Sequence, residues 1–362
     1  MREKDPIVSF SDPILVTGSN GFIGPRVVMT LLDYGFVNLR CFVRPSSELT
    51  ALTRVVSRYK TAHIEICSGN LLSQEDCDRF TEGVRIVYHL AAAMRDTSLE
   101  SSYMNNVVTT RHILNAVAKH KILRRFVNVS SLRVYSNMDL KRGALLDESC
   151  AVESDLENRG DAYCNAKVKQ DDLVAGFCTL NKISYVILRP GIVYGPGNRD
   201  IPKMIGRRVR KGALDVFLHL GGSNRLPLSY VDNCADAIVL AGIKEDADRE
   251  IINVVDDDLM TSRSFLRLYK HNVRQFRSLY VPYPVMYAFC CLGETYSRMS
   301  KRQALPALNR RNCASAWKGN AYSNEKLKQL LGWRPKVGLE EALCRYFGSQ
   351  QDVAATDDCR QA

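Results

Sequence analysis

The sequence predicts an α/β fold: a doubly wound parallel sheet covered by helices on both faces, followed by a smaller mixed C-terminal lobe. Strand-like apolar runs alternate with helix-like segments from residue 14 to residue 188, and this alternation is typical of parallel sheets. A glycine-rich loop joins the first strand to the first helix. Beyond about residue 195 the alternation gives way to short mixed elements rich in proline, glycine and basic residues.

Apolar periodicity places each element of the alternating part. Gly35 follows the first helical pattern and is expected to end it. In chain order we expect strand 14–16, helix 26–34, strand 39–43, helix 47–59, strand 63–67, helix 73–80, strand 86–90, helix 104–120, strand 125–129, helix 163–180 and strand 184–188.

The loop between the first strand and the first helix reads Thr-Gly-Ser-Asn-Gly-Phe-Ile-Gly over residues 17–24. Gly18 permits a tight turn, Gly21 lets the backbone approach a pyrophosphate, and Gly24 lets the helix pack close to the sheet. The amino end of the helix then faces the phosphate charge. Because the loop follows a strand and opens a helix, it predicts a Rossmann-type site for a dinucleotide.

The predicted dinucleotide site and the change of pattern near residue 195 give the expected domain boundaries. Residues 10–195, with sheet and helix contributions from about 225–255, are expected to form the NAD(P)-binding Rossmann domain. Residues 196–347 are expected to form mainly a substrate-binding lobe over the carboxyl ends of the strands. Residues 348–362 are expected to form a polar tail, frayed from Asp352 to Ala362. The apolar, proline-interrupted segment 279–292 is interpreted as a buried helix of the lobe. The alternatives are a wall for a lipophilic substrate or a face that rests on a membrane.

Composition narrows the functional classes. Of 362 residues, 46% are apolar, which supports a sizeable core. No run of about 18 apolar residues occurs, so we expect no transmembrane segment, although peripheral membrane contact stays open. The charged start of the chain does not resemble a secretory signal. The 12 cysteines form no CxxC pair and the histidines lack metal-ligand spacing. We therefore expect reduced thiols, a cytoplasmic location and no metal site.

The formal net charge of +11 includes basic clusters at 207–211 and 298–311. Solvated helix faces explain such clusters without any function. The functional alternatives are a diphosphate-bearing substrate or an anionic membrane surface. No nucleic-acid-binding motif accompanies the charge, so no nucleic-acid partner is expected.

Tyr163 and Lys167 lie at positions i and i+4, on one face of the helix predicted at 163–180. A free phenol, with a pKa of about 10, is a poor base at neutral pH, and a nearby ammonium favours the phenolate. Tyr163 can then take a proton from a hydroxyl as hydride leaves, or return one to a carbonyl. Ser131, at the end of the strand 125–129, is placed to hydrogen-bond the same substrate oxygen. The absence of a GxSxG motif argues against a hydrolase.

Several short motifs follow one another along the chain in the order found in one known family. They are Thr17–Gly24, the His-Leu-Ala-Ala-Ala run at 89–93, Asn-Asn-Val at 105–107, Val-Ser-Ser-Leu-Arg-Val-Tyr at 129–135, Tyr163–Lys167, Leu-Arg-Pro-Gly-Ile-Val-Tyr-Gly-Pro-Gly at 188–197, Tyr-Val-Asp-Asn at 230–233 and Leu-Gly-Trp-Arg-Pro at 331–335. From about residue 13 to about residue 347 the chain resembles an extended short-chain dehydrogenase/reductase of the NAD-dependent epimerase/dehydratase kind.

The resemblance implies roles for individual residues. Ser131, Tyr163 and Lys167 match the family's catalytic residues, and Asn106 matches the asparagine that supports the active-site helix. Asn70 stands where the family has an aspartate that binds the adenine amine; its amide oxygen keeps an acceptor but no charge. The residues expected to bind the cofactor are Gly18, Gly21, Phe22, Ile23, Gly24, Arg44, Asn70, Leu71, Ala91, Ala92, Tyr163, Lys167, Pro190 and Val193. Tyr194 and Arg225 are expected to contact the substrate.

Arg44 bears on which dinucleotide is bound. NAD-selective folds place an acidic residue about 20 residues after the glycine loop, at the end of the second strand, to bind the ribose hydroxyls. Here that position is occupied by Arg44, followed by Pro45, Ser46 and Ser47. A guanidinium suits a 2′-phosphate, whereas stacking on adenine would need no phosphate. We therefore prefer NADP over NAD.

Two substrate classes remain open. A nucleotide-diphosphate sugar fits the basic charge and the Asn224-Arg225 pair. However, sugar-nucleotide members often carry Phe-Asn where this chain has Pro190-Gly191. Dehydration is disfavoured, because Leu132-Arg133 stands where dehydratases carry an Asp-Glu pair. The run 188–197 and the stretch after Val281 resemble the 3β-hydroxysteroid dehydrogenase and dihydroflavonol reductase branches, which act on lipophilic alcohols or ketones. The sugar nucleotide is narrowly preferred, because the general epimerase/dehydratase pattern is the wider match.

Two further expectations follow from the resemblance. Some proteins of this fold bind NADP as sensors without catalysis, but this chain keeps Ser131, Tyr163 and Lys167. The family often forms homodimers through the helices that hold Asn106 and Tyr163, and the same assembly is expected here.

Overall fold

The computed structural model, which describes residues 5–94, 98–198, 201–211, 214–300 and 309–361, is built on a seven-stranded sheet. Numbered along the chain and given from edge to edge, its strands are β3 (His63–Ser68), β2 (Asn38–Val43), β1 (Ile14–Thr17), β4 (Ile86–His89), β5 (Arg125–Val129), β7 (Tyr185–Pro190) and β12 (Glu250–Val254). All neighbouring strands are parallel. The predicted doubly wound parallel sheet is confirmed, and its order reverses between β1 and β4.

Helices cover both faces of this sheet. They are α1 (Gly24–Asp33), α2 (Thr50–Val56), α3 (Gln74–Thr81), α4 (Leu99–Tyr103), α5 (Thr109–His120), α7 (Ala162–Leu180) and α8 (Val231–Ile243). Successive residues of a strand point to opposite faces. Accordingly Ile14 and Val16 pack with α1 and α8 in one core cluster, whereas Leu15 packs with α3, α5 and α7 in another.

The helix expected at 104–120 is longer and interrupted. It begins at α4, where the Ser98 side chain accepts a hydrogen bond from the backbone N–H of Ser101. A π-helical turn over Met104–Val108 then joins α4 to α5. Such turns often mark functional sites, and the buried Asn106 lies within this one.

The second part of the chain forms a lobe of small sheets and helices. Its strands are β6 (Leu145–Leu146), β8 (Ile192–Tyr194), β9 (Gly206–Lys211), β10 (Leu214–Gly221), β11 (Leu228–Tyr230), β13 (Ser278–Pro282) and β14 (Ala321–Tyr322), and its helices are α6 (Leu156–Arg159), α9 (Ser262–Asn272), α10 (Tyr283–Ser300), α11 (Arg310–Trp317) and α13 (Leu339–Gln361). The helix α12 (Glu325–Leu331) instead packs against α8 and β12, and its Leu327 and Leu331 join the core cluster of Ile14 and Val16. The largest of the small sheets has the order β13-β10-β9.

Two expectations for this part need correction. The segment 279–292 is not a buried helix, because its first residues belong to β13 and the rest form α10, on which Val285, Phe289 and Leu292 are exposed. The region expected as a polar tail from residue 348 continues α13, which is helical through Gln361.

Several global features of the described residues bear on function. Within them, no helix combines the length and apolarity needed to cross a bilayer. The cysteines that the structure describes are free thiols, most of them buried. In the same part of the chain no cluster of histidine, cysteine and acidic side chains could hold a metal ion.

Candidate active site

The glycine loop is fixed by close backbone contacts. Gly18 has a φ of +68°, and a Cβ there would lie 2.8 Å from the backbone N of Ala91. A Cβ on Gly24 would lie 2.2 Å from the carbonyl O of Gly18. Both positions therefore need glycine, one for its backbone conformation and both for space. These contacts hold the loop against the start of α1 and the end of β4.

The same loop fits a dinucleotide pyrophosphate. Gly21 is exposed, and a Cβ there would meet only the carbonyl O of Gly18 within 4 Å, at 3.2 Å. Ile23, the N-cap of α1, supplies no side-chain hydrogen bond, and the first turn of α1 contains no acidic residue. The first N–H groups of α1 thus have no side-chain cap and carry the positive end of the helix dipole. The partly buried Phe22 packs against the lobe core.

The residues expected near the adenosine lie at the ends of β2 and β3. Arg44 is exposed and donates a hydrogen bond from Nη2 to Asn105 Oδ1 at 3.3 Å. Asn70 is also exposed, but its Oδ1 already accepts from the backbone N of Leu72 at 3.0 Å. A carbonyl oxygen has two lone pairs, so Asn70 keeps one for a ligand. Leu71 is buried.

Asn106 joins the loop after β4 to the helix beneath it. The backbone N of Ala93 donates to Asn106 Oδ1 at 3.3 Å, and Asn106 Nδ2 donates to the carbonyl O of Ser102 at 2.7 Å. The backbone N of Ala91 donates to Thr17 Oγ1 at 3.3 Å. Ala92 lies between these two anchored positions. Asn106 therefore fixes the loop that borders the predicted cofactor site.

The structure brings Ser131 and Tyr163 together. Ser131 follows β5 and caps a short 3-10 turn, and Tyr163 lies in the first turn of α7. Burial raises the pKa of Tyr163 to about 12, whereas the nearby charge of Arg133 and a hydrogen bond with Ser131 lower it. A serine hydroxyl bonded to the phenol oxygen places both groups around one substrate oxygen.

Lys167 lies beneath the tyrosine. Its side chain is 1% exposed, and its Nζ is 5.9 Å from the centre of the Tyr163 ring. The ammonium donates to the carbonyl O of Val129 at 2.8 Å and to Gln170 Oε1 at 2.7 Å. Burial lowers the pKa of Lys167 to about 8, and Asp171 opposes that effect. The lysine therefore remains mostly protonated at neutral pH.

A buried hydrogen-bond network behind Lys167 was missed by sequence reasoning. Gln170 Nε2 donates to Thr110 Oγ1 at 2.7 Å, and His89 Nε2 lies 2.9 Å from the same oxygen. His89 Nδ1 lies 2.8 Å from Thr17 Oγ1. The network connects the end of the glycine-loop strand to the catalytic lysine. The available signal was Gln170, one helical turn after Lys167.

Arg133 is a second residue whose role the sequence did not reveal. Its guanidinium pairs with Asp161, which also caps α7 by accepting from the backbone N of Cys164. The Arg133 side chain is 48% exposed. Its positive charge lowers the pKa of the Tyr163 phenol, and the Asp161 carboxylate opposes that effect. The signal was its position, two residues after Ser131.

The end of β7 and the chain after it contain residues predicted to bind the cofactor and a residue predicted to contact the substrate. Pro190 is buried at the end of β7, and Val193 in β8 is partly buried. Between them, a Cβ on Gly191 would lie 2.0 Å from the carbonyl O of Pro227. Tyr194 is 1% exposed and packs edge-on against Tyr230 and Tyr346. This burial argues against direct substrate contact by Tyr194.

The lobe contains an apolar cavity lined by α10, α11 and the chain at Met138. Its volume is about 720 Å³, and it is lined by Met138, Tyr283, Pro284, Tyr287, Ala288, Cys291, Leu292, Ala314 and Lys318. The Lys318 ammonium is engaged by the carbonyl oxygens of Asn137 and Met138. Met138 follows Ser131 by seven residues, and neither Ser131 nor Tyr163 lines the cavity. Arg225 is exposed on the lobe, in a bridge with Thr261, and does not line this cavity.

Comparison with known proteins agrees with this geometry. The chain is similar to the sterol-4-alpha-carboxylate 3-dehydrogenase, decarboxylating, of Mus musculus, with 22% identity over 347 residues, 93% of this chain and 91% of that protein. It is 27% identical over 236 residues to the 3 beta-hydroxysteroid dehydrogenase/Delta 5-->4-isomerase of Mycobacterium tuberculosis, which covers 63% of this chain and 59% of that protein.

Among solved structures, the fold is similar to that of the UDP-glucuronic acid 4-epimerase of Bacillus cereus in complex with UDP-glucuronic acid and NAD. The TM-score is 0.69 at 21% identity, covering 94% of this chain and 99% of that one. The family model described as NAD dependent epimerase/dehydratase family matches residues 14–254. The chain therefore belongs to the NAD dependent epimerase/dehydratase family and is an enzyme of the extended short-chain dehydrogenase/reductase type that uses a nicotinamide dinucleotide.

Proposed function

We propose that the enzyme interconverts a secondary alcohol and a ketone on a lipophilic substrate of steroid-like character. The observation that carries this proposal is the apolar cavity of the lobe, whose lining is aliphatic, aromatic or sulfur-bearing except for Lys318. The relatives named as sterol-4-alpha-carboxylate and 3 beta-hydroxysteroid dehydrogenases support the same class.

The catalytic roles follow from the contacts. Ser131 donates a hydrogen bond that stabilises charge on the substrate oxygen. Tyr163 accepts the hydroxyl proton during oxidation and returns it during reduction. Lys167 and Arg133 favour the phenolate, because both carry positive charge near the phenol. A bound nicotinamide supplies or accepts the hydride.

The glycine loop and the uncapped start of α1 support a bound dinucleotide. Arg44 supports NADP as the preferred one. No acidic side chain occupies the position of Arg44, and its guanidinium is exposed at the carboxyl end of β2. Arg44→Asp should change the ratio of NADP affinity to NAD affinity by about ten- to a hundredfold towards NAD, since one charged contact is lost and a repulsive one gained.

Arg124→Asp is the matched control for this experiment. Arg124 is exposed just before the amino end of β5, whereas Arg44 follows the carboxyl end of β2, and its substitution changes the net charge equally. Both affinities are measured by titration. An unchanged ratio in Arg44→Asp, or an equal change in Arg124→Asp, would remove the 2′-phosphate role.

A nucleotide-diphosphate sugar is the second candidate. It is favoured by Arg225, whose side chain is exposed on the lobe and available to an anionic substrate. It is disfavoured at Gly191, because the contact with Pro227 leaves no room for the asparagine that sugar-nucleotide members often carry there.

A turnover panel distinguishes the two classes. 3β-Hydroxysteroids and UDP- and dTDP-sugars are offered with each dinucleotide, and the absorbance of the reduced nicotinamide and the products are followed. We expect turnover of sterol alcohols. Tyr163→Phe should lose turnover and keep cofactor binding. Turnover of sugar nucleotides alone would replace this proposal with the second candidate.

A further inference from the structure

The outer face of α10 is apolar over its described length. Its exposed positions are Pro284, Val285, Ala288, Phe289, Leu292, Gly293, Thr295 and Tyr296. Val285, Phe289, Leu292 and Tyr296 follow the i, i+4, i+7, i+11 spacing of one helical stripe, and they are 58%, 60%, 70% and 63% exposed. A helix on a soluble surface normally presents charged or polar side chains there.

The neighbouring strand extends this apolar face. β13 leads directly into α10 and is an edge strand of its sheet. Leu279 is 58% exposed and Tyr280 is 38% exposed. We call β13 and the exposed stripe of α10 the apolar face. Contiguous exposed apolar surface of this kind marks a protein or membrane contact.

Cations border the apolar face. The Arg263 guanidinium lies 4.8 Å from the centre of the Tyr280 ring, and Lys270 Nζ donates to Ser278 Oγ at 2.6 Å. Arg274 and Arg277 are exposed in the segment that leads to β13. The sequence from residue 263 to residue 296 contains one acidic residue, Glu294. Its carboxylate pairs with Arg310 at 2.7 Å.

We propose that the apolar face docks on an anionic lipid bilayer as a peripheral contact. Apolar side chains would enter the boundary between headgroups and acyl chains, and the bordering cations would contact anionic headgroups. This arrangement needs no spanning helix. It also uses the positive charge that neither the cofactor site nor the catalytic residues require.

The position of the cavity suggests a route for substrate entry from the bilayer. This step rests on the proposed lipophilic substrate. Ala288 and Leu292 belong both to the exposed face of α10 and to the cavity lining. The cavity therefore opens at the edge of the apolar face. A substrate dissolved in the bilayer could enter without crossing water.

A second copy of the chain is the less favoured occupant. In a two-fold contact the same patch meets itself. The cations beside Tyr280 and Ser278 would then face their own counterparts, and like charges repel. The homodimer expected from the family uses the helices of Asn106 and Tyr163, which lie elsewhere in the fold.

Vesicle flotation tests the proposal with the full chain and without substrate or cofactor. We expect at least tenfold stronger binding to phosphatidylcholine–phosphatidylglycerol vesicles than to phosphatidylcholine alone, and weaker binding at high salt. The double variant Val285→Ser, Phe289→Ser changes exposed residues outside the cavity lining and should lose at least tenfold in binding. Leu180→Ser is the control, because Leu180 is 83% exposed at the end of α7 and should bind as the parent does.

The possible results distinguish membrane docking from self-association and from an error in the substrate class. The absence of flotation with anionic vesicles, or equal flotation of the double variant, overturns the proposal. A parent dimer that becomes monomeric in the double variant, measured by light scattering, also overturns it and assigns the face to self-association. Thermal unfolding shows that each variant is folded. Vesicle binding without turnover of sterols would leave the docking intact and refute the substrate class alone.

Discussion

Two glycines of one loop should respond to the same substitution in opposite ways. In Gly24→Ala, the new Cβ would lie 2.2 Å from the carbonyl O of Gly18 and 2.6 Å from backbone atoms of Ser19. Backbone must therefore move by about 1 Å between β1 and α1. In Gly21→Ala, the nearest atom is the same carbonyl O at 3.2 Å, and φ is not positive. A shift of a few tenths of an ångström suffices there.

The magnitudes follow from these contacts. Overpacking costs about 1–3 kcal/mol, and we expect the upper end for Gly24→Ala, because the obstructing atoms are backbone. The melting temperature should fall by roughly 3–4 °C, because the entropy of unfolding of a 362-residue chain is large. Gly21→Ala should stay within about 1 kcal/mol of the parent, since the strain is small and alanine reduces the freedom of the unfolded chain. It should nevertheless lose at least tenfold in dinucleotide affinity, because its Cβ lies where the pyrophosphate approaches.

Thermal unfolding with and without dinucleotide separates the two effects. At a hundredfold excess over Kd, the parent should gain about 2.7 kcal/mol. Gly21→Ala should show the parent's melting temperature alone and a reduced gain with ligand. Equal melting temperatures for Gly24→Ala and the parent would refute the packing argument. Full ligand stabilisation of Gly21→Ala would refute the placement of the pyrophosphate.

Three other substitutions test a buried ion pair, the histidine of the buried network and the phenol. Arg159→Met should cost about 3 kcal/mol in urea unfolding, because it removes a 1% exposed guanidinium that pairs with Glu153 and donates to the carbonyl O of Tyr135 and of Arg133, although Glu153 keeps its pair with Arg311; a loss below about 1 kcal/mol would contradict this. Burial lowers the pKa of His89 to about 3, so the unfolded chain binds an extra proton between pH 6.5 and 3, and stability should fall as pH falls by up to about 1.4 kcal/mol per unit. His89→Gln should flatten that slope, and an identical slope in the variant would exclude His89 as its source. Arg133→Met should raise the pKa of Tyr163, reduce alcohol oxidation about tenfold at neutral pH and restore it at alkaline pH; a uniform loss at every pH would indicate a structural role only.

The central sheet could be predicted because each strand carries its own signal. Apolar runs such as 125–129 and 14–16 coincide with β5 and β1 to within a residue. The helix at 104–120 was harder, because the i→i+5 hydrogen bonds of the π-helical turn shift the helical periodicity between α4 and α5. The apolar segment after Leu279 misled, since apolar composition predicts burial whether the covering surface belongs to this chain or to something else.

The catalytic residues could be predicted from motif spacing, but their supports could not. Tyr163 and Lys167 share one helix turn, so the sequence itself places them together. The contact of Arg133 with the phenol depends on how the turn after β5 meets the start of α7. The network from Gln170 to His89 crosses α7, α5 and β4. Such contacts between distant segments leave no local pattern. Tyr194 was assigned to the substrate by neighbourhood, and the tertiary packing buries it.

Gly191 has a consequence for how this enzyme could change. The carbonyl O of Pro227 occupies the space that any side chain at 191 would need, and Ile192 hydrogen-bonds to that carbonyl from its backbone N at 2.6 Å. No larger residue fits at 191 unless the pairing of β8 with β11 changes. An evolutionary or engineered path towards a side chain at 191 must first move the backbone at Pro227, because every residue at 227 carries the same carbonyl oxygen.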